Sequence, residues 1–362
     1  MGGEDEGAFQ WLTLNYLLGN LGGGIQARTR PASPSEACAS KALTRRLPAA
    51  LRSVSAQKTV AAIDLGGGSV QLAHALSPAA AAAAPEGCVL RDGRAIAGFA
   101  RVRGVDPPRL CSYVRQLRGG GSTYDVYVHR RDPRFEPYSR RRSGFVLTRR
   151  FSIGSYLGYG LMAARAAVLK EAASADAHPC LRGSVSYAYG GSTVKASAAD
   201  DGPAATECAA VAVSALRADS SCAPAPAAEC GFAGAWGGGG GAGAAAFYVS
   251  SYFFDRAAQA GALPAGAIAA PATPRDFADA AAEACAASPS KLKADAAAEM
   301  SAADKDLFCL DLSYCHALLT SGFGLADDDA FTLVKQVTYR GKPVEAAWPL
   351  GAAIDALGAK AD

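Results

Sequence analysis

The chain has 362 residues, with 36 Lys and Arg against 33 Asp and Glu, and half of its residues are apolar. This length allows one large domain or two modest ones with a sizeable core. The absence of any apolar run of about 18 residues predicts no transmembrane helix, and the acidic, polar opening lacks the pattern of a secretory signal.

The first predicted element is a helix over residues 8–18. Trp11, Leu14 and Leu18 share one helical face, and Gly19 stands where a C-terminal cap is expected. Acidic residues at positions 4–6 precede this helix. They are explained either as favourable charges at a helix start or, if a phosphate loop lies nearby, as the source of a general base.

A strand is predicted over residues 59–65, and a return strand of a hairpin over 68–76. Between them the sequence reads Asp64-Leu65-Gly66-Gly67-Gly68-Ser69-Val70-Gln71. Glycines let backbone N–H groups approach an anion closely. Asp64 is therefore a candidate metal ligand, and Ser69 and Gln71 are candidates for orienting a reacting water. The alternative is an ordinary tight turn of an α/β domain.

Further along the chain, helices and strands alternate. Strands are predicted at 124–129, 184–189 and 331–339, and an apolar aromatic segment at 247–254 leads into a helix. Helices are predicted at 157–172, 210–217, 277–287, 304–319 and 344–357. This mixture indicates the α/β class. The glycine-dominated segment 237–243 is interpreted as a surface loop.

The ten cysteines include no Cys-x-x-Cys pair, and the four histidines do not cluster with them. A zinc site is therefore not predicted. The cysteines are either reduced core thiols or disulfides, and disulfides would indicate an oxidising compartment.

Several motifs occur in the order that is found in one known family. The first two are Gly-x-Asp-Glu-Gly-x-x-x-Trp-x-x-x-Asn-Tyr-Leu-Leu at the start and Asp-Leu-Gly-Gly-Gly-Ser-x-Gln at 64–71. Later come Tyr127-Val128-His129 with its continuation at 155–165, the segments around 178–180, 232–240 and 247–256, and Trp348-Pro349-Leu350-Gly351. The chain resembles the plant-type apyrases, nucleoside triphosphate diphosphohydrolases of the actin-like ATPase superfamily. An exopolyphosphatase-like enzyme is the alternative, disfavoured by the Trp helix, the cysteine set and the Trp-Pro-Leu-Gly ending.

The resemblance implies an α/β actin-like (ribonuclease H-like) ATPase fold. It assigns residues 1–340 to the second lobe and 341–362 to a C-terminal helix that belongs to the first lobe. In the family, a first phosphate loop of the Asp-x-Gly-Ser type precedes the Glu-Gly helix, at which this chain begins. We therefore expect the first lobe to be largely missing and catalysis to be weak, because half of the phosphate clamp is absent.

The motifs assign roles to individual residues by resemblance. Glu6 is the general base, Ser69 and Gln71 hold the attacking water, and Asp64 fixes the hydration shell of Ca²⁺ or Mg²⁺. Gly66, Gly67 and Gly68 form the loop whose backbone amides bind the phosphate. Phe253 and Phe254 occupy positions at which relatives have aromatic residues that stack on the nucleotide base. The alternative is that both side chains pack in the core. The implied reaction converts nucleoside tri- and diphosphates to the monophosphate and phosphate.

By the same resemblance, disulfides are expected between Cys180 and Cys208, Cys222 and Cys230, and Cys285 and Cys309, with Cys315 as a buried thiol. They place the protein in the secretory pathway lumen or outside the cell. A non-catalytic nucleotide-binding relic remains an alternative function.

Three basic blocks interrupt the resemblance, at about 25–55, 88–112 and 130–154, and together hold 19 Lys and Arg against 5 Asp and Glu. They are explained as loops that bind nucleic acid or acidic membrane, as solvated insertions, or as introns translated in error. Their shared Arg/Pro/Ala-rich character favours the third explanation. They lack interleaved aromatic residues, so nucleic-acid binding is not expected.

Overall fold

The computed structural model describes most of the regions that carry the motifs. The described residues are 3–21, 59–75, 90–91, 94–95, 112–119, 122–130, 149–172, 177–216, 241, 244–287 and 300–358. Most of the three basic blocks, most of the glycine-dominated segment and the predicted Cys222–Cys230 disulfide lie outside them.

The described part of the chain alternates helices and strands, as the α/β class requires. The strands are β1 (Ala61–Leu65), β2 (Ser69–Ala75), β3 (Leu90–Arg91), β4 (Arg94–Ala95), β5 (Ser112–Gly119), β6 (Ser122–Arg130), β7 (Arg149–Leu157), β8 (Val185–Tyr189), β9 (Ser192–Ala196), β10 (Phe247–Ser251), β11 (Ala269–Ala272), β12 (Phe331–Val334), β13 (Gln336–Tyr339) and β14 (Lys342–Glu345). The helices are α1 (Gly3–Leu17), α2 (Leu161–Glu171), α3 (Ala205–Leu216), α4 (Tyr252–Gln259), α5 (Pro274–Ala286), α6 (Ala302–Asp306), α7 (Phe308–Ala317) and α8 (Trp348–Gly358).

Eight of these strands form one mixed sheet in the order β11-β12-β10-β1-β2-β7-β6-β5. At its centre β12, β10 and β1 run parallel, while β2 returns antiparallel to β1 through the glycine hairpin. Ligands of open α/β sheets bind beyond the carboxyl ends of the parallel strands. A ligand is therefore expected at the edge of the sheet where β1 and β10 end.

The two faces of the sheet are covered by different layers of helices. Ile63 and Leu65 belong to the larger apolar core, which also contains residues of α2, α3, α4, α5 and α7. Ala62, which precedes Ile63, belongs to a second core that is formed with α1 and α8. Because side chains alternate along a strand, Asp64 lies on the same face as Ala62, under α1.

Helix α1 is buried between the sheet and α8. Trp11, Leu12 and Leu14 are almost completely buried. On the far side Gly351 of α8 lies against α1, where an added Cβ would be 1.9 Å from the Phe9 carbonyl oxygen. The prediction of one apolar face was therefore too narrow, since Thr13 is also completely buried. Its hydroxyl donates to the carbonyl of Ala347, just before α8, at 2.9 Å.

The direction of α1 is opposite to that of β1. Near the helix C-terminus, Asn15 pairs with the backbone of Val60, just before β1 begins, at 2.8 and 3.2 Å. In the middle of the helix, Gln10 contacts Ser250, which is level with Asp64 in the parallel register. The N-terminal turn of α1 therefore extends towards the carboxyl ends of β1 and β10.

A buried cluster of charges joins three helices of the larger core. The Asp311 carboxylate of α7, which is completely buried, binds Arg165 of α2 at 2.6 and 2.8 Å and lies 3.1 Å from Arg256 of α4. Arg165 also binds Asp304 at 2.8 Å. Burial lowers the pKa of Arg165, but the two carboxylates outweigh this effect and raise it, so Arg165 keeps its positive charge.

Two of the three predicted disulfides are present, Cys180–Cys208 and Cys285–Cys309. The first joins the loop before β8 to α3, and the second joins α5 to α7. Cys315 is a buried free thiol, as predicted. These bonds tie helices together around the larger core.

The α/β class and most of the predicted elements are confirmed, but several boundaries were wrong. Helix α1 begins at Gly3, so the acidic residues lie in its first turns and do not precede it. The helix predicted over 157–172 begins at Leu161, because β7 extends to Leu157. The segments 331–339 and 344–357 each divide into two elements. The assignment of residues 341–362 to another lobe stays a prediction.

The charged cluster leads to a stability prediction. In the Asp311→Ala variant, Arg256 loses its carboxylate partner and Arg165 loses one of its two, so the free energy of unfolding should fall by about 3–5 kcal/mol. The matched control is Asp328→Ala, which removes an exposed ion pair with Arg275 and should leave stability nearly unchanged. Urea denaturation of both variants checks this, and equal midpoint shifts would contradict it.

Candidate functional site

Four polar side chains meet at the carboxyl end of β1 on the face covered by α1. Asp64 lies opposite Gln71 in the hairpin and beside Ser250 of β10. Ser69 and Gln71 share a face of β2, and the Gln71 amide donates to the Ser69 hydroxyl at 2.6 Å. The structure therefore brings together the Asp, Ser and Gln that the motif singled out.

Glu6 approaches this cluster from the helix side. It stands four residues before Gln10 in α1, and residues four apart share a helical face with a rise of about 6 Å between them. The Gln10 side chain reaches Ser250, next to Asp64. Half-buried Glu6 therefore lies one turn beyond that contact, towards the end of the sheet where the glycine loop turns.

The carbonyl groups of the glycine loop are held by the first turn of α2. The amides of Leu161 and Met162 donate to the carbonyls of Gly66 and Gly67, both at 2.9 Å. In a trans peptide the C=O and N–H groups point in opposite directions. The N–H groups of Gly67 and Gly68 therefore point away from α2, and they donate to no backbone carbonyl among the described residues.

None of the three loop glycines, Gly66, Gly67 and Gly68, has a positive φ. Their importance therefore lies in the missing side chains, which would otherwise cover the N–H groups. Two adjacent N–H groups that point the same way can bind an anion. The loop also meets the N-terminus of α2, and α4 begins where β10 ends, so helix dipoles favour negative charge here.

Asp64 is held by two serine hydroxyls. The Ser250 hydroxyl lies 3.3 Å from Asp64 Oδ1, and Ser251 also hydrogen bonds to the carboxylate. Burial raises the pKa of Asp64, against the lowering effect of these two hydrogen bonds. Ser251 has φ 60° and ψ −125°, a strained conformation for a residue other than glycine, and such strain often marks functional sites.

The oxygen-rich surroundings of Asp64 fit a hard divalent cation. Ca²⁺ and Mg²⁺ prefer carboxylate and other oxygen ligands, and Mg²⁺ usually keeps several waters beside one or two carboxylates and a phosphate. Among the described residues, no group of three or more His, Cys, Asp or Glu is close enough to form a metal cage. The donor set therefore fits a cation that is held through water and substrate phosphate.

Sequence reasoning missed three residues here: Gln10, Ser250 and Tyr189. Gln10 and Ser250 come from segments 240 residues apart, and no local pattern marks their contact. Tyr189 ends β8, and its hydroxyl would lie 3.2 Å from a Cβ added at Gly68. The only sequence signal for Tyr189 was its place before the Gly190-Gly191 turn, which lets a hairpin tip reach the loop.

Phe253 and Phe254 belong to the larger apolar core. Phe253 is completely buried and Phe254 is 5% exposed, and the Phe253 ring packs edge-on against Phe277 at 5.8 Å. Core packing, the alternative interpretation, accounts for both side chains. Trp348 is partly buried against the smaller core.

The closeness of Gly160 to the loop gives a testable prediction. An added Cβ at Gly160 would be 2.3 Å from the Ser69 nitrogen and 2.6 Å from the Gly66 oxygen. Gly160→Ala should displace the loop, lower stability by about 1–3 kcal/mol and speed amide exchange at residues 66–69. Gly183→Ala is the control, since nothing lies within 4 Å of its added Cβ. Hydrogen-exchange mass spectrometry measures both, and equal exchange would contradict the proposed contact.

Among the described helices, none is both long and apolar enough to cross a membrane. The fold is similar to that of a crystal structure of nucleoside triphosphate hydrolases from Neospora caninum, with a TM-score of 0.53 and 14% identity. That similarity covers all of this chain and 64% of the other chain.

The sequence is similar to proteins named for nucleotide hydrolysis. It is 36% identical over 98% of its length to probable apyrase 1 of Oryza sativa subsp. japonica and 35% identical to apyrase 1 of Arabidopsis thaliana. It is 32% identical to a nucleoside-triphosphatase of Pisum sativum. The chain spans 57%, 59% and 62% of these relatives, respectively.

The pattern of the GDA1/CD39 (nucleoside phosphatase) family matches residues 1–88 and 149–361. The match is interrupted between these ranges, where two of the basic blocks lie, and it covers most of the chain. The Glu-Gly helix, the glycine hairpin and the Trp-Pro-Leu-Gly ending all fall within it. The chain therefore belongs to the GDA1/CD39 nucleoside phosphatase family.

Proposed function

We propose that this chain carries a catalytic surface that hydrolyses the terminal phosphates of nucleoside tri- and diphosphates. The observation that supports it is the contact of Gln10 with Ser250, which directs the first turns of α1, and with them Glu6, towards the end of β1 that carries Asp64 and the glycine loop. Relatives named apyrase and nucleoside-triphosphatase support the same reaction and do not favour the exopolyphosphatase alternative. The weak turnover that the sequence predicts for this chain stays a prediction.

In this proposal Glu6 takes the proton of the attacking water. A base in a partly buried position near a loop that binds negative charge can act in this way. The Ser69 hydroxyl and the Gln71 amide, which are hydrogen bonded to each other, hold the water in line. The N–H groups of Gly67 and Gly68 bind the phosphate and stabilise charge as it develops.

A divalent cation, Ca²⁺ or Mg²⁺, would be held by Asp64 through its water shell. When bound, such a cation neutralises phosphate charge and orients the leaving group. Asp64 has hydroxyl neighbours and a raised pKa in the absence of a counter-charge. A nearby cation would favour its ionised form.

The two disulfides in the larger core support a location in the secretory pathway lumen or outside the cell, where such bonds persist. The base of the nucleotide is not assigned to Phe253 and Phe254, which serve the core. Half-buried Tyr252 at the start of α4, next to Ser251, is the aromatic residue nearest in sequence to the site.

The role of Glu6 is tested with Glu6→Gln. The amide cannot accept the proton, so release of phosphate from ATP and ADP should fall by about 100- to 10,000-fold with nucleotide binding retained. Asp5→Asn is the matched control, because its side chain projects about 100° away on the same helix. Phosphate release and binding of a non-hydrolysable ATP analogue are measured on the full chain. An equal loss in both variants would contradict the assignment of the base.

The hydroxyl of Tyr189 beside Gly68 is proposed as an additional hydrogen-bond donor to the bound phosphate. Tyr189→Phe keeps the ring and removes only that donor. Hydrogen bonds to charged groups are worth about 1.5–3 kcal/mol, so affinity for the ATP analogue should fall by about tenfold or more. The midpoint of thermal unfolding should not change. Unchanged affinity would remove Tyr189 from the site.

A further inference from the structure

The Ser250 hydroxyl of β10 lies among three polar groups, one from α1 and two from β1. The Gln10 amide of α1 donates to it at 2.8 Å, the Ile63 carbonyl oxygen lies at 3.1 Å, and Asp64 Oδ1 lies at 3.3 Å. Gln10 and Ser250 are only 2% and 3% exposed. These contacts form a continuous hydrogen-bonded chain from the helix that bears Glu6 to the carboxylate of Asp64.

The protons available on Gln10 and Ser250 determine which group donates in each of these hydrogen bonds. The Ser250 oxygen accepts from Gln10, and its single proton is then available to either the Ile63 carbonyl or the Asp64 carboxylate. The hydroxyl can therefore donate to Asp64 and turn to Ile63 when another group binds that carboxylate oxygen. No donor is left unsatisfied in either arrangement.

We propose that Gln10 and Ser250 are positioning residues, which fix the Asp64 carboxylate relative to the Glu6 helix for binding a divalent cation. This inference rests on the proposed function, because it assigns Asp64 to the cation. Buried groups that hydrogen bond to metal-binding carboxylates orient them, and their loss typically lowers metal affinity by about 10- to 100-fold. Neither residue needs to touch the cation or the substrate.

A purely structural role would predict a different pattern. Helix α1 is already anchored by buried apolar side chains such as Trp11, Leu12 and Leu14. At its other end Asn15 makes buried hydrogen bonds to Val60 and Trp11. Asn15 is therefore a matched control, since it is a buried amide on the same helix that should affect stability without affecting Asp64.

The experiment compares Ser250→Ala, Ser250→Thr, Gln10→Leu and Asn15→Leu in the full chain. Affinities for Mg²⁺ and Ca²⁺ are measured by calorimetry, with and without a non-hydrolysable ATP analogue, together with urea unfolding, kcat and KM. We expect Ser250→Ala and Gln10→Leu to weaken cation affinity by about tenfold or more. Ser250→Thr, which keeps the hydroxyl, should restore most of it. Asn15→Leu should lower stability but leave cation affinity unchanged.

Combining Gln10→Leu with Ser250→Ala should weaken cation affinity little more than either change alone, because both changes interrupt the same series of hydrogen bonds to Asp64. The proposal is overturned if Ser250→Ala leaves cation affinity unchanged, if Asn15→Leu weakens it equally, or if the wild-type chain binds neither cation. Failure of the proposed function has a different signature. In that case the Ser250 effect on cation affinity persists, but Glu6→Gln does not change phosphate release.

Discussion

The antiparallel packing of α1 against β1 is the constraint on which the site depends. It results from apolar burial along the helix, whose C-terminal end lies beside the start of the strand, where Asn15 pairs with Val60. Because the helix runs against the strand, its acidic first turns extend past the end at which Asp64 and the glycine loop lie. A parallel orientation would have placed Glu6 at the opposite end of the sheet, far from Asp64 and the glycine loop.

The charged cluster supports the same site from the other face. Helix α2 holds the loop carbonyls with its first amides, and Arg165, about one turn later, is fixed by Asp311 and Asp304. Burying two arginines is costly unless every charge has a partner. The position of the loop therefore depends on a salt-bridged core as well as on apolar packing, and α4 shares that core through Arg256.

The glycine hairpin, the Gly19 cap and two disulfides could be predicted because each depends on a short segment or a family motif. Gly19 does adopt a positive φ of 72°, as a C-terminal cap requires. The start of α1 was misplaced because acidic residues suit both a helix start and the segment before it. The possible role of Phe253 in base stacking could not be judged from sequence, since an aromatic side chain fits a core and a binding site equally well.

By itself, the sequence determined the chemistry that is present: a carboxylate in a Glu-Gly motif, an Asp at the end of an apolar strand, and glycines that leave amides uncovered. These features depend on residue type and on neighbours a few positions away. Only the tertiary structure decided that Gln10 meets Ser250, that Tyr189 lies beside Gly68, and that two phenylalanines are buried. Each of these contacts joins segments far apart in the chain, and their relative positions follow from how the helices pack on the two faces of the sheet.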